Sequence, residues 1–424
     1  MASAARATTD ARTRARTRRV EEDVLLTAVM CLLAYGAVMV YSASSANTVL
    51  QAGGDGTGYL LRYVLYGALG FGAMWFVARR PLEQVLRLTG PLLAIALGCL
   101  VLVRMPGFGV EVNGARRWLG AGPLVFQPSE IAKLALVLYA ARFLAERPNR
   151  IRTLGDLTPL GLVAGAVAGL VAIQPDLGTT LVIAATVLAL MFASGVPSRV
   201  LWTLLGSGAA LVTMFAMLEP YRRARLTSFL NPWDSAGDAG FQAVQGQIAL
   251  GSGGVLGHGL GQSVQKIAYL PEAHTDFILA IIGEELGVIG VVALLFLYAM
   301  IAWAGLRIAK QAKGRYAALV AAGCTSLILC QAILNVFVVL GLAPLTGVPL
   351  PFISSGSTNL MVLLVCSGLL INVSRGGSVH LRVVTGGADR ARSGTDARAD
   401  LRDRGRGDSR SRDSRAGGGR RAAG

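Results

Sequence analysis

The sequence predicts an all-α polytopic membrane protein of about ten transmembrane helices, with a large outer-face loop between the seventh and the eighth. Composition gives the first indication, because the 424-residue chain is 53% hydrophobic and only 15% charged. A soluble domain carries about a quarter charged residues. The second indication is the placement of the charges, which lie at the two ends and in a few loops. The third is a series of apolar runs between those charges, each long enough to cross a bilayer.

The ten spans are placed by apolar runs that lie between charged or Pro/Gly-rich breaks. A helix needs ~20 apolar residues to cross a bilayer. The runs lie near 23–44, 59–78, 88–104, 128–146, 157–173, 178–195, 199–218, 276–305, 316–342 and 356–374. The fifth and sixth are short and are separated only by the sequence QPDLG.

Basic residues give the spans an orientation. They cluster in alternate connections, and by the positive-inside rule those connections and both termini are cytoplasmic. These residues, beyond the arginines that precede the first span, are Arg79, Arg80, Arg87, Arg142, Arg147, Arg150, Arg152, Arg199, Arg307, Lys310, Lys313, Arg315 and Arg375.

The two ends of the chain differ in composition from the membrane domain at 23–375. Residues 1–22 are basic, and residues 376–424 are rich in Arg, Asp, Gly and Ser, so we expect two disordered cytoplasmic tails. The net charge of +16 owes much to these segments. It indicates attraction to anionic inner-leaflet lipids rather than to nucleic acid.

Two outward loops carry clustered arginines that the positive-inside rule would place inside. The clusters are Arg116 and Arg117 in the loop 105–127, and Arg222, Arg223 and Arg225 in the loop 219–275. Guanidinium groups suit the paired oxygens of phosphate or pyrophosphate, which predicts an anion site on the outer face. The alternative is that they pair with Glu111, Glu219 or lipid headgroups.

A glycine-rich stretch, GSGGVLGHGLGQSVQK at 251–266, lies in the longer of these loops. It lacks the lysine-ended motif and the strand context of a nucleotide-binding loop. We expect its glycines to let the backbone lie close to a ligand or to the membrane surface.

Asp276 stands at the start of the eighth span, where a charge is costly unless it has a partner or a task. In a helix, Ala280, Gly283, Gly287 and Gly290 share its face, and these small residues predict tight packing against another helix. The alternatives for Asp276 are a helix N-cap or a salt bridge to an outer arginine. Glu284 and Glu285 are expected to pair with other helices or to reach a polar cavity.

Two further polar positions interrupt apolar runs. QPSEIAK at 127–133 places Glu130 and Lys133 one turn apart, which makes a tolerable pair inside a span. QPDLGT at 174–179 places Asp176 at an outward hairpin between two short spans. Broken spans are tolerated where they line a cavity or are buried in protein.

Four long motifs in register identify a family resemblance across 23–375. They are GARRWLGAGPLVFQPSEIAKLALVLY, QPDLGT, VQKIAYLPEAHTDFILAIIGEELG and NVFVVLGLAPLTGVPLPFISSGST. Together they resemble the SEDS family (shape, elongation, division and sporulation), and YLPEAHTD most resembles its division-type FtsW members. An elongation-type (RodA) or sporulation-type (SpoVE) member is the alternative. Where many members carry Tyr-Gly-Gly-Ser-Ser, this chain has Ser355-Gly356-Ser357-Thr358, which puts partner contacts in question.

The resemblance implies peptidoglycan glycosyltransfer, the polymerisation of lipid II on the outer face of the bacterial cytoplasmic membrane during septal wall synthesis. It implies a class B penicillin-binding protein and division-complex proteins as partners. Asp276 matches the essential aspartate of the family. The other functional positions, expected to bind substrate, are Arg116, Arg117, Glu130, Lys133, Gln174, Asp176, Lys266, Glu272 and His274.

Lipid II already carries a pyrophosphate leaving group, so its polymerisation needs a base but no general acid. We expect Asp276 to be that base, acting in a single inverting displacement. No metal ligands are identified, although Mg²⁺ or Mn²⁺ would stabilise the pyrophosphate charge together with the outer arginines. A lipid flippase is one alternative, because ten spans with internal charges are typical of carriers. A noncatalytic division scaffold is the other.

Overall fold

The structure is a computed structural model that describes residues 2–52, 57–112, 115–121, 124–148, 151–218, 228–237, 240–266 and 273–379. Predicted features that lie outside these residues include Arg150, Glu219, the arginines at 222, 223 and 225, Glu272, and most of the C-terminal tail. The helices are α1 (Ala2–Ala52), α2 (Gly58–Ala78), α3 (Leu82–Leu102), α4 (Pro128–Glu146), α5 (Thr158–Ile173), α6 (Leu177–Ala193), α7 (Ser198–Leu218), α8 (Phe241–Ser252), α9 (Ile278–Gln311), α10 (Arg315–Val339) and α11 (Ser357–Ser374).

Each of the ten predicted spans contains a helix, so the prediction of a polytopic helical membrane protein is confirmed. Within the described residues, seven helices are long and apolar enough to cross a membrane by length and composition. Helix α6 is apolar but has only 17 residues. Helix α4 does not meet the criterion, since it carries Glu130, Lys133, Arg142 and Glu146.

Helix α1 differs from its prediction at its start. It runs continuously from Ala2 to Ala52, so residues 2–22, where we predict disorder, are helical. Alanine and arginine, which recur through this segment, rank among the strongest helix formers. The apolar span that follows also spares the segment the cost of nucleating a helix of its own.

A small three-stranded sheet lies in the loop 105–127, which the all-α prediction does not include. Its strands are β1 (Gly109–Val112), β2 (Ala115–Ala121) and β3 (Leu124–Phe126), joined antiparallel in that order. The sequence carries the signal, because Asn-Gly and Gly-Pro separate short runs rich in β-formers. The pairing brings Glu111 opposite Arg116.

Helix α10 lies at the centre of the bundle, packed against α4, α6, α8, α9 and α11. Around it, α1 packs along α9, α2 packs along α11, and α3 packs along α4. Ion pairs join three helices at one end of the bundle: Glu21 of α1 meets Arg307 of α9 at 2.9 Å, and Glu22 meets Arg375 after α11.

Helix α9 is broken at Gly287, whose backbone angles are φ 65° and ψ −163°. Only glycine adopts this conformation readily. The glycine-rich stretch fills the break: His258 N–H donates to Glu284 O at 3.0 Å, and Val288 N–H donates to Gly254 O at 3.0 Å. A side chain at Gly257 or Gly287 would overlap the facing backbone. These glycines let the backbone approach α9, whereas the sequence predicts an approach to a ligand or to the membrane surface.

Candidate functional site

Asp276 lies in the segment Ala273–Phe277 that leads into α9. The N-cap residue of α9 is Phe277, so Asp276 is not the helix cap. Its carboxylate is half-buried, and Thr275 Oγ1 donates to Asp276 Oδ1 at 3.1 Å. The segment precedes the helix, and side chains from other parts of the chain bind its carbonyl groups.

The segment 346–355 and helix α10 supply that support. Asn335 Nδ2 donates to Asp276 O at 2.7 Å and to Val348 O at 2.8 Å. Ser354 Oγ donates to Thr275 O, and Ser355 Oγ donates to His274 O at 3.0 Å. Three successive carbonyls before α9 are therefore held by side chains.

Gly347 lies directly beside the Asp276 carboxylate. A Cβ atom at Gly347 would stand 3.7 Å from Asp276 Oδ2, and Gly347 has φ +65°. On the other side of this segment, Gly178 of α6 lies so close to Thr346 O that a side chain there would overlap it. The hairpin that bears Asp176 and the segment beside Asp276 are therefore neighbours.

His274 is half-buried and contacts the outer end of α2. Its ring centroid lies 4.4 Å from that of Tyr59, at an interplanar angle of 58°. The structure thus brings His274 and Asp276 into one short segment, while their predicted companion Glu272 is outside the described residues.

Glu130 and Lys133 form the predicted pair inside α4. Lys133 Nζ lies 2.9 Å from Glu130 Oε1, and each side chain is 2% exposed. Lys133 Nζ also donates to Gln331 Oε1 at 3.1 Å, and Gln331 Nε2 donates to Pro349 O at 3.0 Å. The buried pair is thereby linked, through one amide, to the segment beside Asp276.

Asp176 is the N-cap residue of α6. Its Oδ1 accepts from Thr179 N–H at 2.9 Å, which satisfies one of the unpaired donors at the start of the helix. Its other oxygen, Oδ2, faces Gln127 Nε2 at 3.4 Å. Gln174 is buried and donates from Nε2 to Leu100 O at 3.0 Å, so its side chain joins the hairpin to the end of α3.

The two outer arginines have different partners. Arg116 Nε lies 3.1 Å from Glu111 Oε2, and both side chains are about half exposed, at 45% and 53%. This is the pairing named above as the alternative to an anion site. Arg117 instead donates from Nε to Gln174 O at 2.9 Å and from Nη2 to Pro175 O. Its guanidinium joins the sheet to the hairpin of Asp176.

Lys266 precedes α9 in the chain and lies in a buried network with Glu285 of that helix. Its Nζ is 2.7 Å from Glu285 Oε1 and 3.2 Å from Ser42 Oγ of α1. Glu284, the neighbouring acid, accepts from Ser263 Oγ at 2.5 Å and from Val264 N–H at 2.9 Å. Glu285 pairs with another helix as expected, through Ser42 of α1, whereas Glu284 is bound by the loop residues Ser263 and Val264. In this arrangement the charge of Lys266 is neutralised by Glu285, and its predicted contact with substrate stays a prediction.

No group of three or more His, Cys, Asp and Glu side chains that could hold a metal ion occurs in the part of the chain that the structure describes. The described residues therefore provide no complete metal centre. Mg²⁺ is often held by one or two carboxylates together with substrate phosphates. The involvement of a divalent cation stays a prediction.

Sequence reasoning missed the two amides of α10, Gln331 and Asn335, and the serine Ser354. A signal for the amides was available. They are four residues apart in an otherwise apolar span, so they share one helix face, and buried polar side chains require partners. The serine gave no comparable signal, because its partner, Thr275 O, is 79 residues away along the chain.

Comparison with known proteins gives a consistent result. Residues 23–378 match the FtsW/RodA/SpoVE family model, described as "Cell cycle protein". Stage V sporulation protein E of Bacillus subtilis is 40% identical over 365 residues, which are 85% of this chain and 98% of the relative. A protein of Alcanivorax borkumensis named "Probable peptidoglycan glycosyltransferase FtsW" is 42% identical over 361 residues, which are 83% of this chain and 92% of the relative.

Two solved structures have the same fold. One comes from work on the structural coordination of polymerization and crosslinking by a peptidoglycan synthase complex. It superposes with a TM-score of 0.69 at 31% identity and covers 83% of this chain and 96% of its own. The other is rod shape determining protein RodA of Thermus thermophilus, with a TM-score of 0.61 at 29% identity, covering 83% of this chain and 95% of its own.

Proposed function

The chain belongs to the FtsW/RodA/SpoVE family of cell cycle proteins, and from this premise we propose that it is a peptidoglycan glycosyltransferase. Its substrate is lipid II, which it polymerises into glycan strands at the outer face of the cytoplasmic membrane. The observation that carries the proposal is the half-buried Asp276 carboxylate, whose segment is held by hydrogen bonds from Asn335, Ser354 and Ser355. A fixed carboxylate at a protein-lined edge is what a general base requires.

Asp276 accepts the proton of the acceptor sugar hydroxyl while that oxygen forms its bond to the anomeric carbon of the donor. The bond from this carbon to the pyrophosphate oxygen breaks at the same time, and the electron pair leaves with the polyprenyl pyrophosphate. A single displacement inverts the anomeric centre. One carboxylate is enough, because the leaving group needs no protonation, whereas glycoside hydrolysis commonly uses two.

Arg116 and Arg117 of the three-stranded sheet are proposed to stabilise the negative charge of the leaving group. Arg117 is fixed on the hairpin of Asp176, and the half-exposed Arg116 needs only to exchange Glu111 for an anionic substrate group. Guanidinium groups bind pyrophosphate oxygens in pairs, so Arg116 is assigned to the pyrophosphate of lipid II. A divalent cation, Mg²⁺ or Mn²⁺, would add to this stabilisation when bound with the substrate.

The proposed biological setting is septal wall synthesis during cell division. The match to the cell cycle protein family and to relatives named FtsW supports it, and elongation or sporulation is the alternative setting. A similar solved structure comes from a peptidoglycan synthase complex that couples polymerization to crosslinking. A class B penicillin-binding protein, with other division proteins, is therefore the proposed partner. Both termini are proposed to be cytoplasmic, because the basic residues cluster in alternate connections.

Polymerisation of lipid II by the purified protein with its cognate transpeptidase tests the proposal. Wild type is compared with Asp276→Asn, which keeps the shape of the side chain but removes the base. We expect glycan strands from wild type and none from Asp276→Asn, at equal folding and partner binding. Asp234→Asn is the matched control, because Asp234 is an exposed acid of the outer loop and the substitution should leave the rate unchanged.

The other outcomes are equally informative. Equal strand formation by wild type and Asp276→Asn would overturn the assignment of the base. Failure of the wild-type complex to form strands, together with transport of labelled lipid II in vesicles, would favour a flippase. Failure of both activities would favour a scaffold.

A further inference from the structure

Asn335 attaches the segment that carries Asp276 to α10, the central helix of the bundle. Asn335 is buried in α10, and a single nitrogen atom, Nδ2, donates to Asp276 O at 2.7 Å and to Val348 O at 2.8 Å. Both partners are carbonyl oxygens, so the position requires an atom that donates two hydrogens. Among neutral side chains, an amide nitrogen meets that requirement, whereas a hydroxyl donates one hydrogen and a carboxylate donates none.

Val348 O is as important to this geometry as Asp276 O. Val348 follows Gly347, which lies beside the Asp276 carboxylate. By holding Asp276 O and Val348 O at one atom, Asn335 fixes the distance between the Asp276 backbone and the segment that faces its side chain. The Oδ1 atom of Asn335 has no hydrogen-bond partner in the described part of the chain, so the nitrogen makes the polar contacts.

Gln331 extends this support by one helical turn. It holds Pro349 O, the carbonyl next to Val348 O, and it accepts from Lys133, which is paired with Glu130. The carbonyls of 348 and 349 are therefore both bound from one face of α10, the most central helix. Asn335 continues the contact to Asp276 O.

We propose that Asn335 is a positioning residue for the glycosyl transfer, acting through Asp276 by fixing that residue against the 347–348 backbone. The inference rests on the proposed function, in which Asp276 is the base. Asn335 touches no reacting atom. Its loss should displace the carboxylate and lower the rate of the chemical step, while substrate binding, which uses other groups, is retained.

The chain contains a matched control for this geometry. Asn372 of α11 is also a buried asparagine whose Nδ2 donates to two carbonyls, Val77 O at 2.9 Å and Arg80 O at 2.5 Å. It joins α11 to the cytoplasmic end of α2, away from Asp276. The two sites therefore share side chain, burial and bonding pattern, and they differ in what they hold.

The experiment measures kcat and KM for lipid II polymerisation by the complex containing Asn335→Leu or Asn372→Leu. Both variants lose two hydrogen bonds donated by a buried asparagine, and a similar fall in Tm is expected. At matched folded fraction, Asn335→Leu should lower kcat by about 10²-fold, the order of loss for a small misplacement of a reacting group, with little change in KM. Asn372→Leu should keep the wild-type kcat. Asn335→Ser supplies a single donor and should fold even if Asn335→Leu does not. Its kcat should lie between those of Asn335→Leu and wild type.

A double-mutant cycle separates positioning from general damage. In an Asp276→Glu background the carboxylate is already displaced. Adding Asn335→Leu should therefore lower kcat by a much smaller factor than it does in the wild-type background. Equal losses in both backgrounds, or a wild-type kcat for both folded Asn335 variants, would overturn the inference while leaving the base assignment intact. An active Asp276→Asn variant would instead overturn the proposed function itself.

Discussion

Lys266 and Glu285 form a buried ion pair, with Nζ 2.7 Å from Oε1 and both side chains at most 2% exposed. Ser42 of α1 donates to the same carboxylate at 2.7 Å. The pair therefore ties the glycine-rich stretch and α1 to the broken region of α9. A buried charge is tolerated only while its partner is present, and this dependence makes the contact testable.

Removing one member of the pair should destabilise the protein strongly. Lys266→Met leaves Glu285 charged and buried, at an expected cost of about 3–5 kcal/mol. Lys266→Met combined with Glu285→Leu removes both charges and should recover much of that loss. Thermal unfolding in detergent measures the effect. A double variant no more stable than the single one would contradict this account of the pair.

The break in α9 should be intolerant of any side chain. Gly287→Ala places a Cβ atom against the backbone of Val255 and Gly257 in a conformation reserved for glycine, and should cost about 1–3 kcal/mol or more. Gly161→Ala is the control, because nothing lies within 4 Å of its added Cβ. That helical substitution should be neutral or slightly stabilising. Equal changes in Tm for the two variants would rule out the steric explanation.

Replacing Arg117 by alanine should lower stability, whereas replacing Arg116 by alanine should weaken substrate binding. Arg117 holds two hairpin carbonyls, so Arg117→Ala should lower the free energy of unfolding by about 1.5 kcal/mol, the low end for bonds to a charged group. Arg116→Ala should leave Tm nearly unchanged, because exposed ion pairs contribute little. It should instead raise KM for lipid II about tenfold, equivalent to ~1.4 kcal/mol. The expected assignment fails if the two variants exchange these phenotypes.

The stabilisation from the ion pair of Glu22 and Arg375 should be insensitive to pH across ordinary assay conditions. The Glu22 hydrogen bond and charge raise the pKa of Arg375 above its usual value. A group with a raised folded-state pKa contributes its full stabilisation below its unfolded-state pKa, and loses it only as the pH rises through the folded-state value. The Tm difference between wild type and Arg375→Gln should therefore stay constant over about pH 6–9. A difference that shrinks steadily within this window would show that another group titrates with the pair.

Some of this structure is determined by short stretches of sequence. The thickness of the bilayer sets the length of each apolar run, so each of the ten predicted spans contains a helix. The pair of Glu130 and Lys133 follows from helix geometry alone, because residues three apart share a face. Two other local patterns also agree with the structure, although composition favoured a different prediction at each place. They are the strong helix formers at 2–22 and the turn residues of the three-stranded sheet.

The tertiary structure decided which polar groups meet. Asn335 reaches Asp276 across 59 residues and Ser354 reaches Thr275 across 79, and no local period encodes such distances. The glycines of 251–266 are another example, because their sequence permits close backbone approach but does not specify the partner. The physical reason is common to these cases. A buried donor or acceptor must be satisfied, yet which distant group satisfies it depends on how the helices pack.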